Sequence, residues 1–320
     1  MKMMVYEEPD QCRLIWEKAW PVNGLFDLWQ VRSCFQDSFL QPLRFHTIEQ
    51  HNKIIGFLPL CWSDEAGGYV QFPGETWRGK TWLEQNRMIA TRPEVLQDLM
   101  DMVPGSVHLR YLNWSELFAG LEQVTEDEVG YLFYPGMYDF SFDQYWLCFS
   151  GKSRKKLKKE LNDIQTRQVA YRFNHIPDLE HLFLMNINSF CENSYFTDDR
   201  FYRAFENLAS FLWKMGMLRI TTVLVDDQIA AVDMGAIFKN TYTLLAGATS
   251  PQVHGIAKVI NLHHMEWACH QKFDCVDFLC GDFNWKKRFH LTPRPLYELR
   301  LDRAGHFCDR VLHEQHAVCA

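Results

Sequence analysis

The sequence predicts an α+β, mixed α/β protein built as two tandem units, each a twisted mixed sheet covered by helices. Three observations carry this. Apolar residues recur at helical spacing in some stretches and alternate with period two in others. The order helices, strand meander, helix, further strands occurs twice along the chain, without a strict sequence repeat. Between the two rounds, Pro135–Ser150 mixes aromatics and acids with no clear period. The division is therefore expected near 140/141, giving units of 1–140 and 141–320, and a chain of 320 residues is long enough for both.

The elements follow in order. Residues 11–40 read as helical, with Leu14, Ile15, Trp16, Leu25, Leu28, Trp29 and Phe35 as core candidates. Arg44–Glu49, Lys53–Trp62 and Tyr69–Phe72 read as strands, the first two joined by a hairpin turn at Gln50-His51-Asn52. A helix is expected over Pro93–Val103, a strand over Val107–Leu112, a helix over Ser115–Leu121 and a strand over Gly130–Tyr134. The second round comprises helix 153–167, strand Tyr171–His175, helices near 178–192 and 199–214, and strands Leu218–Val225, Ile229–Phe238 and Thr241–Ala248. Helix 255–271 and strands Cys275–Leu279 and Leu296–Leu301 complete it.

Composition narrows the function. The net charge is −7, yet Lys152–Lys159 holds six basic residues and no acid, leaving −13 elsewhere. An acidic body with one basic island does not suit a duplex DNA binder. Met1–Pro9 lacks the apolar run of a secretory leader, and no stretch of about 18 apolar residues appears. The expectation is a cytoplasmic protein without a membrane span. Ten cysteines, mostly with apolar neighbours, read as reduced buried thiols. No Cys-x-x-Cys pair or standard zinc spacing occurs among His263, His264, Cys269, His270, Cys275 and Cys280, so no metal is expected.

The most informative segment is Leu244–Lys258. It reads as an apolar strand, a turn, the loop Gln252-x-x-Gly255-x-Ala257, and a helix. Small residues before a helix leave its first N–H groups accessible, and the helix dipole favours negative charge there, as a phosphate would supply. One strand earlier, Ala230, Val232, Met234, Ala236 and Phe238 form an apolar face, expected to meet the core. The alternate face sets Asp233 among Ala231, Gly235 and Ile237. An acid among small residues is a general-base candidate, or equally a structural carboxylate bonded to a neighbour. Of His263 and His264, one falls on the apolar stripe of Ile256, Ile260 and Trp267 and reads as a core histidine.

Three further clusters carry charge. Gly151–Leu161 opens a helix with Ser153 as the expected N-cap and Lys152, Lys155, Lys156 and Lys159 on one face, opposite Leu157, Leu161 and Ile164. That face suits phosphate or RNA, or plain solvent. Cys275–Phe289 runs from a strand through Gly281 to Trp285-Lys286-Lys287-Arg288, where Lys286 is placed to neutralise a phosphate or oxyanion, and Asp277 and Asp282 to pair with these cations. Phe72–Trp82 sets Trp77 and Trp82 beside Arg78 and Lys80, a composition suited to a sugar, phosphate or peptide, or to a packed loop.

The residues Ser150–Leu157, Val225–Ala230, Ser250-Pro251, Asp277–Asp282 and Trp285–Phe289 together resemble the GNAT superfamily. More narrowly they resemble its double-GNAT branch, which holds cellulose-biosynthesis-associated acetyltransferase-like proteins and Fem-type aminoacyltransferases. The resemblance is strongest over 145–300. It implies two GNAT-like domains, an acceptor side in the first and an acyl-donor site in the second. It implies acyl transfer from acyl-CoA to an amine on a small molecule, peptide or glycan bound between the domains beside Trp77, Arg78, Lys80 and Trp82. Gln252, Gly255, Ala257 and Lys258 would hold the donor pyrophosphate, Lys286 would lie near donor phosphates or the reacting carbonyl, and Asp233 would take the amine proton. Trp285 stands where the branch usually has tyrosine, and the coiled-coil insertion of many Fem-type enzymes is missing. An aminoacyl-tRNA donor and a non-catalytic glycan- or peptide-binding pair are the alternative expectations.

Overall fold

A computed structural model describes residues 1–281 and 284–303. Asp282, one of the two late-loop acids, lies outside them. The chain forms two compact units: Met1–Glu128 with the residues from Pro295 on, and Val129–Arg294. The sequence placed the division at 140/141. In the structure it falls after Glu128, and the last strand pairs within the first unit.

The first unit opens with β1 (Lys2–Tyr6), α1 (Pro9–Ala19) and α2 (Trp29–Phe39). The single helical stretch expected over 11–40 is thus two helices. Trp20 is extended, Pro21 follows it, and a 3-10 turn at Leu25–Asp27 reorients the chain. Then come β2 (Leu43–Gln50), β3 (Lys53–Ser63), β4 (Gly68–Gln71), β5 (Ile89–Ala90), α3 (Pro93–Asp101) and β6 (Val107–Leu112). The β2–β3 hairpin is the expected one, turning through His51 and Asn52, both at positive φ. Only a 3-10 turn, Glu116–Phe118, forms where a helix was expected. The sheet order is β1-β2-β3-β4-β6-β13, with β5 also on β3 and β13 spanning Thr292–Leu301. Alternation along β2 and β3 sends Phe45, Phe57 and Cys61 into a core with Trp16 and Phe72, and Ile48, Leu58 and Leu60 into a second core with Val95 and Leu99 of α3.

The second unit receives the chain through β7 (Val124–Phe133). It continues with α4 (Phe142–Leu147), inside the segment that showed no period, and α5 (Gly151–Gln165). Next come β8 (Val169–Phe173), α6 (Asp178–Phe190), α7 (Asp199–Lys214), β9 (Leu218–Val225), β10 (Gln228–Phe238), β11 (Thr241–Thr249), α8 (Ile256–Gln271), β12 (Cys275–Asp277) and α9 (Trp285–Arg288). The sheet order is β7-β12-β11-β10-β9-β8, antiparallel except for the parallel β11–β12 pair. Both faces of β10 are buried over Ala230–Ala236, so the side holding Asp233 is as covered as the apolar side. The mixed α/β class expected from the sequence is the one found.

His46 on β2 is fully buried, and neither ring nitrogen has a hydrogen-bond partner. Burial, with the nearby charge of Arg44, pushes its pKa down to about 4. The unfolded chain binds a proton below its ordinary value that the folded chain refuses until about pH 4, so His46 costs stability as pH falls through this window. His46→Leu should make the acid limb of stability shallower by roughly 1.4 kcal/mol per pH unit, read by urea unfolding between pH 6.5 and 4.5. An unchanged limb would refute this assignment.

Candidate active site

The site starts from an incomplete strand pair. β11 and β12 pair through Thr241↔Cys275, Tyr242↔Val276 and Thr243↔Asp277, and there the pairing stops although β11 continues to Thr249. Beyond Asp277 the chain stays with β7: Phe278 N–H donates to Tyr131 O at 2.9 Å, and Tyr131 N–H to Leu279 O at 3.2 Å. The strands therefore part, and Gly247 is exposed although β11 lies inside the sheet. A bulge sits at the parting. Met234 pairs with Ala246 and Gly235 with Leu244, leaving Leu245 as the extra residue. A bulge releases backbone groups from the ladder beside an open cleft.

The helix expected after the small-residue loop begins at the far end of β11. Ser250 N–H anchors the loop to Ala230 O, and Gly255, at φ 86°, turns the chain into α8. No side chain caps this helix. Gln252 and Ala257 are exposed, and the first turn carries no acid. These features fit a phosphate group. Lys258 turns instead to Glu160 of α5, whose carboxyl it holds below the usual range. The basic helix is thereby tied to the loop. Its N-cap is Ser150, whose Oγ accepts from Ser153 N–H, and not Ser153 as expected.

Asp233 lies under α8. His264 Nε2, fully buried, is 2.9 Å from Asp233 Oδ2 and donates to it, while His264 Nδ1 is buried without a partner. Asp233 pairs across the ladder with Gly247, where a Cβ would stand 2.2 Å from Oδ1. Only glycine lets the carboxylate lie over the exposed stretch of β11. Tyr242 packs over Gly235 on the same face, with its ring 5.3 Å from that of His264. Burial, reinforced by Asp233, pushes the Tyr242 phenol pKa well up, so it stays protonated. Asn186 of α6 donates to Gly247 O at 3.3 Å and accepts from Ser194 Oγ at 2.7 Å. The sequence reading found Asp233 and a core histidine but neither their pairing nor Asn186. The four-residue spacing of Ile256, Ile260 and His264 was the available signal for the pairing.

Lys286 is 3% exposed and donates to Phe278 O, Leu279 O and Cys280 O at 2.9, 2.8 and 2.8 Å. Its ammonium gathers the carbonyls of the segment that leaves β11. Asp277 takes a two-pronged contact from Arg294 and accepts from Leu279 N–H.

The tryptophan cluster lies in the first unit and is largely packed. Trp77 is 8% exposed, and Trp82 stacks on Phe35 and meets Phe26 edge-on. Arg78 and Gly79 form a tight turn closed by the Trp77–Lys80 backbone pair. The Arg78 guanidinium and Lys80 ammonium lie over the Trp77 ring, so the cations meet solvent and the indoles serve the core. Among the described residues no group of three or more His, Cys, Asp or Glu side chains is arranged to hold a metal ion, and no helix is long and apolar enough to cross a membrane.

Residues 151–287 match the family described as Acetyltransferase (GNAT) domain. No curated protein matches the chain in sequence. Solved structures resemble it over most of its length. FemX is 10% identical, with 94% of this chain and 98% of that one covered at a TM-score of 0.59. A conserved protein of unknown function from Bacteroides thetaiotaomicron VPI-5482 is 13% identical, covering 94% and 100% at 0.60. The tandem GNAT protein from the clavulanic acid biosynthesis pathway is 10% identical, covering 95% and 100% at 0.51. At these identities the likeness is one of fold. The family match lies over the unit that holds the parted strands: residues 151–287 carry a GNAT acetyltransferase domain, and the chain as a whole shares the fold of the FemX and tandem GNAT structures.

Proposed function

We propose that the protein is an N-acyltransferase that uses acyl-CoA as donor and an amine as acceptor. The observation that carries this is the parting of β11 from β12 after Thr243↔Asp277, with the bulge at Leu245 at its apex and the uncapped start of α8 at its open end. A chain-like donor with an anionic end suits that shape: the anion at residues 252–257, the arm along the edge of β11, the carbonyl at the bulge. The thioester supplies an activated carbonyl. The acceptor nitrogen bonds to that carbon, the thiolate leaves, and the nitrogen gives up a proton. Backbone N–H groups freed at the bulge polarise the carbonyl. Asp233, held by His264, takes the proton through water, and Asn186 fixes the strand beside it. Lys286 serves the site indirectly by keeping the two strands apart.

The donor class is tested by native mass spectrometry of the purified chain with a series of acyl-CoA species and with charged tRNA. Retained acyl-CoA is expected. Salt-sensitive retention of tRNA through the exposed lysines of α5 would move the donor to aminoacyl-tRNA, and retention of neither would remove the enzymatic reading. Asp233→Asn preserves shape and can still accept from His264. It should lower kcat by about 10²- to 10⁴-fold with donor binding unchanged; full activity would make Asp233 structural only. Lys286→Met strands three carbonyls. It should cost on the order of 3 kcal/mol of stability and weaken donor binding, measured by denaturant unfolding and calorimetry. A variant of normal stability that loses only kcat would instead return Lys286 to the chemistry.

A further inference from the structure

The first unit contains a second place where parallel strands part. β4 and β6 pair only at Tyr69↔Val107, supported by Tyr69 N–H donating to Ser106 O, after which β6 continues alongside β13. The opening holds a cavity of about 270 Å3, walled by Val70, Gln71 and Phe72 on one side and His108 and Arg110 on the other. Its floor is polar and built. Arg32, fully buried, donates to Phe26 O, Phe72 O and Asn86 Oδ1, at 2.7, 2.5 and 2.8 Å, and so fixes the chain on both sides of the opening. Asn86 in turn donates to Leu83 O and Arg110 O.

One acceptor on this floor wants a donor, and an acid lies beside it. Gln71 is 6% exposed, and its Nε2 donates to Arg87 O while its Oε1 is buried with no partner. Glu75 is 1% exposed; its Oε1 accepts from Thr81 Oγ1, Trp82 N–H and Leu83 N–H, and its own backbone N–H also serves the carboxyl, so it brings a buried acidic group to the floor. A buried acceptor without a donor is costly, so a donor-bearing guest is favoured. The wall supplies the opposite charge. Lys80 makes no ion pair among the described residues and lies over the Trp77 ring, whereas Arg110 is already held by Asp127. The volume lies just below the roughly 300–1,000 Å3 of drug-sized pockets, so the guest is of metabolite size.

We propose that this cavity is a ligand site of the first unit that takes a small zwitterion of amino-acid size, its ammonium group on Glu75 and Gln71 and its anionic group at Lys80. The site belongs to the first unit and does not depend on the acyl-transfer reading.

The test uses the full chain in calorimetry and thermal unfolding with L-alanine, L-serine and L-glutamate. It adds the matching carboxylates without an amine, propionate and glutarate, and ethylamine as the amine without a carboxylate. At least one amino acid should bind, and its single-group counterparts should bind at least about 10-fold more weakly. Glu75→Gln keeps an oxygen for Thr81, Trp82 and Leu83 but loses the charge, and should weaken binding by about 10- to 100-fold. Gln71→Met, which removes the partnerless oxygen at similar volume, should weaken it as well and serves if Glu75→Gln does not fold. Binding of acyl-CoA in the second unit should not change in either variant. Absence of binding by every amino acid tested, or binding unaltered in a folded variant, overturns the proposal.

Discussion

A strand can leave its neighbour in the interior of a sheet only if every backbone group it exposes finds another partner. In the second unit that condition is met at β12. Phe278 and Leu279 exchange hydrogen bonds with Tyr131 of β7, the Asp277 carboxylate accepts from Leu279 N–H, and the buried Lys286 ammonium collects three successive carbonyls. Arg294 holds Asp277 at the last shared pair. With these contacts the gap between β11 and β12 is a stable feature of the sheet, and the bulge, the exposed Gly247 and the uncapped helix gain their meaning from it.

The two units answer the same topological problem differently. In the second, the chain crosses from β11 to α8 in a short loop that turns at Gly255, at positive φ. In the first, about twenty residues separate β4 from α3, and this segment carries Glu75, Trp77 and Asn86 into the interior, where Arg32 fastens Phe72 and Asn86. The short crossing leaves an open gap. The long one fills the space with side chains and leaves a small, polar chamber. One architecture thus yields two differently shaped openings.

Much of this was legible in the sequence, and the limits have physical causes. β10, β11, the small-residue loop and α8 were readable because period-two alternation gives way to helical spacing within a few residues. The break between α1 and α2 was hidden because Pro21 and Gly24 lie inside a stretch whose flanks are both helical. β1 escaped because it is exposed along most of its length and shows no buried face. The Asp233–His264 pair joins residues 31 apart in sequence, and nothing local reports such a contact. Trp82 left a binding loop and a packed loop both open in the sequence; its packing rests on Phe26 and Phe35, some fifty residues away.

The extra residue at Leu245 has a consequence for what this chain can become. Tyr242 and Gly247 are an odd number of positions apart, so in a regular strand they would point to opposite faces, yet both lie on the α8 side, one over Gly235 and the other under Asp233. The count of residues between them acts as a parity setting. Removing one would turn Gly247 and everything beyond it inside out, driving a side chain into the place of the Asp233 carboxylate or swinging the loop before α8 to the wrong side. Substitutions here can drift, but insertions and deletions cannot, and descendants of this chain should keep the length of β11 long after its letters have changed.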